Sequence, residues 1–205
     1  MNKFVKIATV VALPVGLIAS TAGMAAAKGG TKLDVSAASI TCNTVIGSAK
    51  LAPHVGPTLP SAVNSTVKLS LSNCSVTDKL GNPVAVAITG SAKGVLHASS
   101  AVQTGSTVTA ATTGTLTVKW TSSVKLAGPN SQLSAGTVSV DASGTNAVVS
   151  IGSPVVSGDF AGTSGTGAAS TLSATSAETV AQLATTISTT GLKSIGIASG
   201  SVHLG

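Results

Sequence analysis

Apolar and polar residues alternate with a period of two along most of this 205-residue chain. Between Thr66 and Asn73, Val67, Leu69 and Leu71 fall on one side, with Lys68, Ser70 and Ser72 on the other. That is the signature of a strand with one wet face. Val84, Val86 and Ile88 repeat it within the run Val84–His97, where Gly90 and Gly94 mark bends or bulges. From Thr115 to Trp120, Leu116, Val118 and Trp120 oppose Thr117 and Lys119. Further strand-like runs cover Leu33–Cys42, Thr44–Leu51, the surroundings of Val138 and Val140, Ala147–Ile151 and Pro154–Ala161. The prolines and Gly56 of 53–60, the Gly81-Asn82 pair and Gly128-Pro129-Asn130 punctuate these runs as loops or turns. Ala98–Thr113 is small and polar without a firm period, and Gly162–Ser173 reads as a loop or a weak strand.

One segment changes period. Thr175-x-x-Glu178 has the form of a capping box, and Val180, Leu183, Ala184 and Ile187 then recur at helical spacing. Gly191 is placed to stop such a helix. In the final run, Leu192–Leu204, the apolar parity switches between Ile195/Ile197 and Val202/Leu204, which predicts a bulge near Gly200. Many short strands and one late helix predict a mainly β fold: an antiparallel β-sandwich or closed β-barrel with one short helix near the C-terminus. No fixed repeat period points to a solenoid or propeller.

Composition supports a packed β domain. Hydrophobic residues make up 43% of the chain and mean hydropathy is +0.52, while charged residues are 8%. The wet faces are therefore supplied by Ser and Thr, and such a chain can bury a core. The first residues form a separate pattern. Lys3 and Lys6 precede the apolar run Ile7–Leu17, and Ala25-Ala26-Ala27 offers small residues for cleavage before Lys28. The expected organisation is a signal peptide over 1–27 and a single β domain over 28–205. The apolar run is shorter than the roughly 20 residues that cross a bilayer, so no membrane span is expected after signal removal.

Export decides how the two cysteines are read. Outside the cytoplasm, Cys42 and Cys74 are expected to form one disulfide between two strands. A redox-active pair would call for Cys-x-x-Cys spacing or a nearby base, and the chain shows neither.

All 11 basic residues are lysines, against 5 acidic ones. Without Lys3 and Lys6 the balance is nine to five, a net charge of +4. With no Arg, no Tyr, and only Trp120 and Phe160 as mature aromatics, the chain lacks the usual means of reading or stacking nucleic acid. The lysines stand singly in the sequence and read as solvated charges on strand faces. Their sign allows a weak attraction to an anionic cell-envelope polymer.

His54, His97 and His203 have no metal-ligand spacing. Ser65-x-x-Lys68 and Ser122-x-x-Lys125 match a pattern of penicillin-binding enzymes, but that chemistry needs a helix start and a Lys-Thr-Gly element. Gly162–Gly167 is glycine-rich without phosphate-loop spacing. Asn64-Ser65-Thr66 and Asn73-Cys74-Ser75 match the glycosylation pattern. No catalytic, cofactor or metal residues are assigned. Trp120 and Phe160 are read as core anchors, Trp120 because it continues the Leu116/Val118 face.

Three stretches carry a resemblance: Gly114-Thr-Leu-Thr-Val-Lys-Trp120, Gly158-Asp-Phe-Ala-Gly162 and Gly191-Leu-Lys-Ser-Ile-Gly-Ile-Ala-Ser-Gly-Ser-Val-His-Leu-Gly205. In that order they resemble the small secreted Ser/Thr/Gly-rich proteins of actinobacteria, although Thr121 stands where members often carry a basic residue. The resemblance implies an exported, mostly β protein and carries over no catalytic residue. Thr41-Cys42-Asn43 and Leu69-Ser-Leu-Ser-Asn-Cys74 are similar to chaperone-assembled pilus subunits, which join an early strand to a later one by a disulfide. The expectation is an exported, non-enzymatic β protein, secreted or at the cell envelope, acting as a structural or binding component. The alternatives are a pilus-like fibre subunit assembled by strand exchange and a hydrolase with a scattered serine site.

Overall fold

The computed structural model describes residues 32–205 except 59, 129, 135, 153–154 and 162–170. The leader read over 1–27 and most of the Gly/Ser-rich run from Gly162 lie outside the described residues. The strands are β1 (Ser39–Val55), β2 (Ala62–Thr77), β3 (Pro83–Val84), β4 (Ile88–Thr104), β5 (Thr107–Ser122) and β6 (Ser131–Ser134). They continue with β7 (Thr137–Asp141), β8 (Asn146–Gly152), β9 (Val155–Ser157), β10 (Thr171–Thr179) and β11 (Leu192–Leu204), and α1 (Val180–Thr189) precedes β11.

Eight of these strands form a closed wall in the order β1-β2-β4-β5-β7-β8-β10-β11, and β11 pairs back onto β1. Every pairing is antiparallel, and each wall strand follows its neighbour along the chain. The fold is thus an up-and-down β-barrel, the second of the two expected architectures. The short strands β3, β6 and β9 extend the sheet from β2, β5 and β6.

The period-2 pattern sorts the residues across this wall. Ile40, Leu69, Leu71, Leu116, Val118, Val202 and Leu204 are buried inside. Lys68, Ser70, Ser91, Lys93, Thr115 and Ser201 are exposed outside. Eight strands leave an interior that side chains can fill, and here apolar side chains fill it. The outer wall carries many Ser, Thr and Lys side chains, with Ile46, Val95, Val102 and Val148 exposed among them. Among the described residues, no helix is long and apolar enough to cross a membrane.

Two expected strands, Leu33–Cys42 and Thr44–Leu51, are largely one strand in the fold. β1 begins at Ser39 and runs past Pro53 to Val55, while Leu33 makes only an isolated parallel bridge to Leu126. The parity of burial changes at the same level on β1 and β2, without a break in their register. Buried positions shift from Cys42 to Val45 on β1 and from Val76 to Leu71 on β2, and Asn73 absorbs the change at φ 53°. Asn is among the few residues that tolerate this left-handed region. The unperiodic stretch Ala98–Thr113 forms the two arms of the β4–β5 hairpin, which turns at Gly105 with φ 60°. Pro154–Ala161 is shorter as a strand than expected, because β9 ends at Ser157 ahead of Gly158 at φ 85°. The bulge expected near Gly200 lies between Ile197 and Ser199 of β11.

The helix forms where its apolar stripe predicts, but its cap is displaced by one turn. Thr175 sits inside β10, paired with Ser199 and Val148. Thr179 is the N-cap: its hydroxyl accepts from Gln182 N, and the Gln182 side chain accepts from Thr179 N at 2.8 Å. Glu178 instead accepts from Gly196 N at 3.1 Å. Continued pairing with β8 and β11 outcompetes a helix start at Thr175. Leu183 seats on Ala147 and Leu192, with Leu51, Val55 and Ile187 around them, so α1 packs as a second small core.

Candidate functional site

Where β5 ends, the lead-in before β1 folds against the β5–β6 connection. Leu33 N donates to Lys125 O and Ala127 N to Leu33 O, each at 2.8 Å. The segment after β9 then docks on the lead-in: Phe160 N donates to Val35 O at 3.0 Å and Ala161 N to Ser36 O at 3.1 Å. The docked backbone carries Phe160 into the core at φ 59°, an uncommon conformation for a bulky residue. Phe160 is completely buried and meets Trp120 edge to face, ring centroids 5.1 Å apart at 78°. Trp120 is half-buried, and its indole N–H donates to Ser131 Oγ at 2.7 Å. The buried Ser131 hydroxyl donates in turn to the Asp159 carbonyl oxygen. The two aromatics read from the sequence as core anchors are therefore brought together, and a buried serine ties one to the chain beside the other.

Asp159 is the unusual residue of this cluster. It is only 2% exposed, and its Oδ1 has no hydrogen-bond partner. Desolvation raises its pKa above the ordinary value of 3.8, and the nearby negative charge of Asp34 adds to the effect. Gly128 makes room for the carboxyl: a Cβ at that position would fall 2.0 Å from Oδ1. Trp120, Ser122, Lys125, Asn130 and Asp159 are among the residues around a cleft of about 370 Å³. Asp159 is the only carboxylate lining it among the described residues. A buried acid can accept a hydrogen bond from an amine or hydroxyl, or donate one while protonated. Among the described lining residues, Lys125, Ser122 and Asn130 add an ammonium, a hydroxyl and an amide to this carboxyl, polar groups suited to holding a polar ligand.

Cys42 and Cys74 are bonded to each other and are also register partners between β1 and β2. Of the remaining sequence candidates, Ser122 and Lys125 both line the cleft, while the others lie apart. His203 pairs with Thr41 at 2.8 Å and His97 with Asn64 at 2.6 Å, on separate strand pairs. No group of three metal-ligating side chains assembles among the described residues. Ser65 and Lys68 lie three positions apart on β2, a spacing that sends them to opposite faces of a strand. Asp34, Asp78 and Asp141 hold turns, and bonds from the backbones of Ser36, Asn82 and Ser143 lower their pKa values.

Asp159, Ser131 and Gly128 were not legible as a site. Asp159 lies within Gly158-Asp159-Phe160, but nothing local separates a buried acid from a turn aspartate. Comparisons with protein-family models, with curated proteins and with solved structures find no match for this chain.

Proposed function

We propose that this protein is a non-enzymatic binding component working outside the cytoplasm, at the cell envelope or in the medium. In this reading, the cleft beside Trp120 holds a small polar ligand bearing an amine or hydroxyl donor. The observation that carries it is the cleft itself, where the Asp159 carboxyl lies beside Trp120, Lys125 and Asn130. A carboxyl can accept from a ligand amine or hydroxyl, and the ammonium and amide beside it offer further polar contacts. The Cys42–Cys74 disulfide supports the compartment, since such bonds persist where the environment is oxidising. A fibre subunit finds less support, because closure pairs every wall strand on both sides and, among the described residues, leaves only the short β3 and β9 as sheet edges.

Trp120 is the only tryptophan, so its emission reports directly on the cleft. Titration with small amines and polyols should shift that emission for at least one class and raise the melting temperature, and Asp159→Asn should weaken both responses. If no probe moves the emission, or if Asp159→Asn responds like the parent, the cleft is not a binding site.

A further inference from the structure

The barrel gathers lysines that stand far apart in the sequence. Lys68 of β2 is the register partner of Lys93 of β4. Lys50 of β1 lies two residues from Ser48, the residue facing Lys68. Lys119 of β5 lies two residues from Thr117, the residue facing Lys93. All four lysines are exposed, one on each of four consecutive wall strands. With strands about 4.8 Å apart and a rise of about 3.3 Å per residue, the row runs about 20 Å along the outer wall.

Hydroxyls stand opposite the members of this row, with the exposed Ile46 and Val95 at its flanks. Ser48, Thr66, Ser91 and Thr117 face its members in the strand pairing. Glu178 borders it at the Lys50 end, bonded to Gly196, which faces Ser48. Like charges directly opposite on paired strands destabilise a sheet. The residues cross-strand from Lys68 are Ser48 and Lys93, and those from Lys93 are Lys68 and Thr117, so the pairing offers neither lysine a carboxylate. The fold thus maintains a repulsion that an anion lying across the strands would relieve.

We propose that this row is a docking surface for a linear phosphate-bearing polymer laid across β1, β2, β4 and β5. Lysine ammoniums act as point charges for successive phosphates, and the flanking Ser and Thr hydroxyls can donate to the remaining oxygens. The chain has no Arg for bidentate base contacts, and its single Trp packs against Phe160, so the wall is not equipped to read or stack bases. The proposal is independent of the cleft beside Trp120.

Linear inorganic polyphosphate is the probe, with poly-glutamate, single-stranded DNA and neutral dextran as comparisons. Polyphosphate should bind most tightly, and the logarithm of affinity should fall with the logarithm of salt at a slope of about −3 for four contacts. Removing two contacts in Lys68→Ser/Lys93→Ser should roughly halve that slope and lower low-salt affinity at least tenfold. Lys32→Ser/Lys79→Ser removes the same charge elsewhere and should leave the slope unchanged. Lys93→Glu places an opposite charge across from Lys68; it should fold at least as stably as the parent and lose binding. The proposal is overturned by an equal loss in Lys32→Ser/Lys79→Ser, by poly-glutamate binding as tightly as polyphosphate, or by no salt-dependent polyphosphate binding.

Discussion

Cys42 and Cys74 are joined twice, once by the sheet and once by their sulfurs. As register partners of β1 and β2 their Cα atoms stand 3.9 Å apart, and the disulfide spans 32 residues of chain. The sheet holds this pairing only in the folded state, so the bond's main effect falls on the unfolded chain. In the chain-entropy account, a loop of this size is worth about 3–4 kcal/mol.

The double variant Cys42→Ala/Cys74→Ala should therefore unfold at markedly lower urea concentration, with a loss of about 3–4 kcal/mol, and the oxidised parent should give no free thiol. A variant within about 1 kcal/mol of the parent would show that the sheet alone fixes this pairing.

Ser131 serves two partners at once, and its loss should exceed that of one ordinary hydrogen bond. Its hydroxyl accepts from Trp120 Nε1 and donates to the Asp159 carbonyl. Ser131→Ala leaves both without that partner, at a cost of about 2–4 kcal/mol. A double-mutant cycle with Trp120→Phe should return a coupling of about 1 kcal/mol in chemical denaturation. Additive losses would show that the indole contact contributes nothing.

The sign of the pH effect at Asp159 is opposite to that of the other three aspartates. Its folded pKa lies above the ordinary 3.8, so the unfolded chain releases this proton first as pH rises. Stability is then lost as pH climbs from about 4 through the folded pKa, and the penalty persists above it. Asp34, Asp78 and Asp141 have lowered values, so their contribution is present above 3.8 and fades as pH falls through the folded values. Asp159→Asn keeps those three and removes only the first effect. Melting curves should place this variant above the parent at pH 7 and level with it below pH 4. A constant offset at every pH would mean that ionisation of Asp159 does not matter.

The barrel was legible where the period was clean and hidden where topology decides. Val67, Leu69 and Leu71, like Leu116 and Val118, announced their inward face because one wet face alternates with one dry one. Ala98–Thr113 did not, because its small residues pair as hairpin arms without burying much apolar surface. Barrel and sandwich share the same alternation, and closure depends on β11 meeting β1 across most of the chain. The lysines mislead in the same way. Lys68 and Lys93 are separated in sequence, and only the β2–β4 register makes them neighbours. Asp159 is buried by docking of its segment on Val35 and Ser36, a long-range event with no local signature.

The start of the helix separates a local motif from its tertiary context. Thr175-x-x-Glu178 satisfies the capping-box pattern, yet Thr175 remains in the β10 ladder between β8 and β11. Thr179 and Gln182 make the reciprocal cap one turn later. Thr179→Ala removes the hydroxyl that accepts from Gln182 N, and should cost about 1 kcal/mol, with earlier loss of amide protection in the first turn of α1. Thr175→Ala changes a strand residue and should leave that protection intact. Hydrogen exchange followed residue by residue distinguishes the two. If Thr175→Ala frays α1 while Thr179→Ala does not, the helix starts where the sequence motif places it.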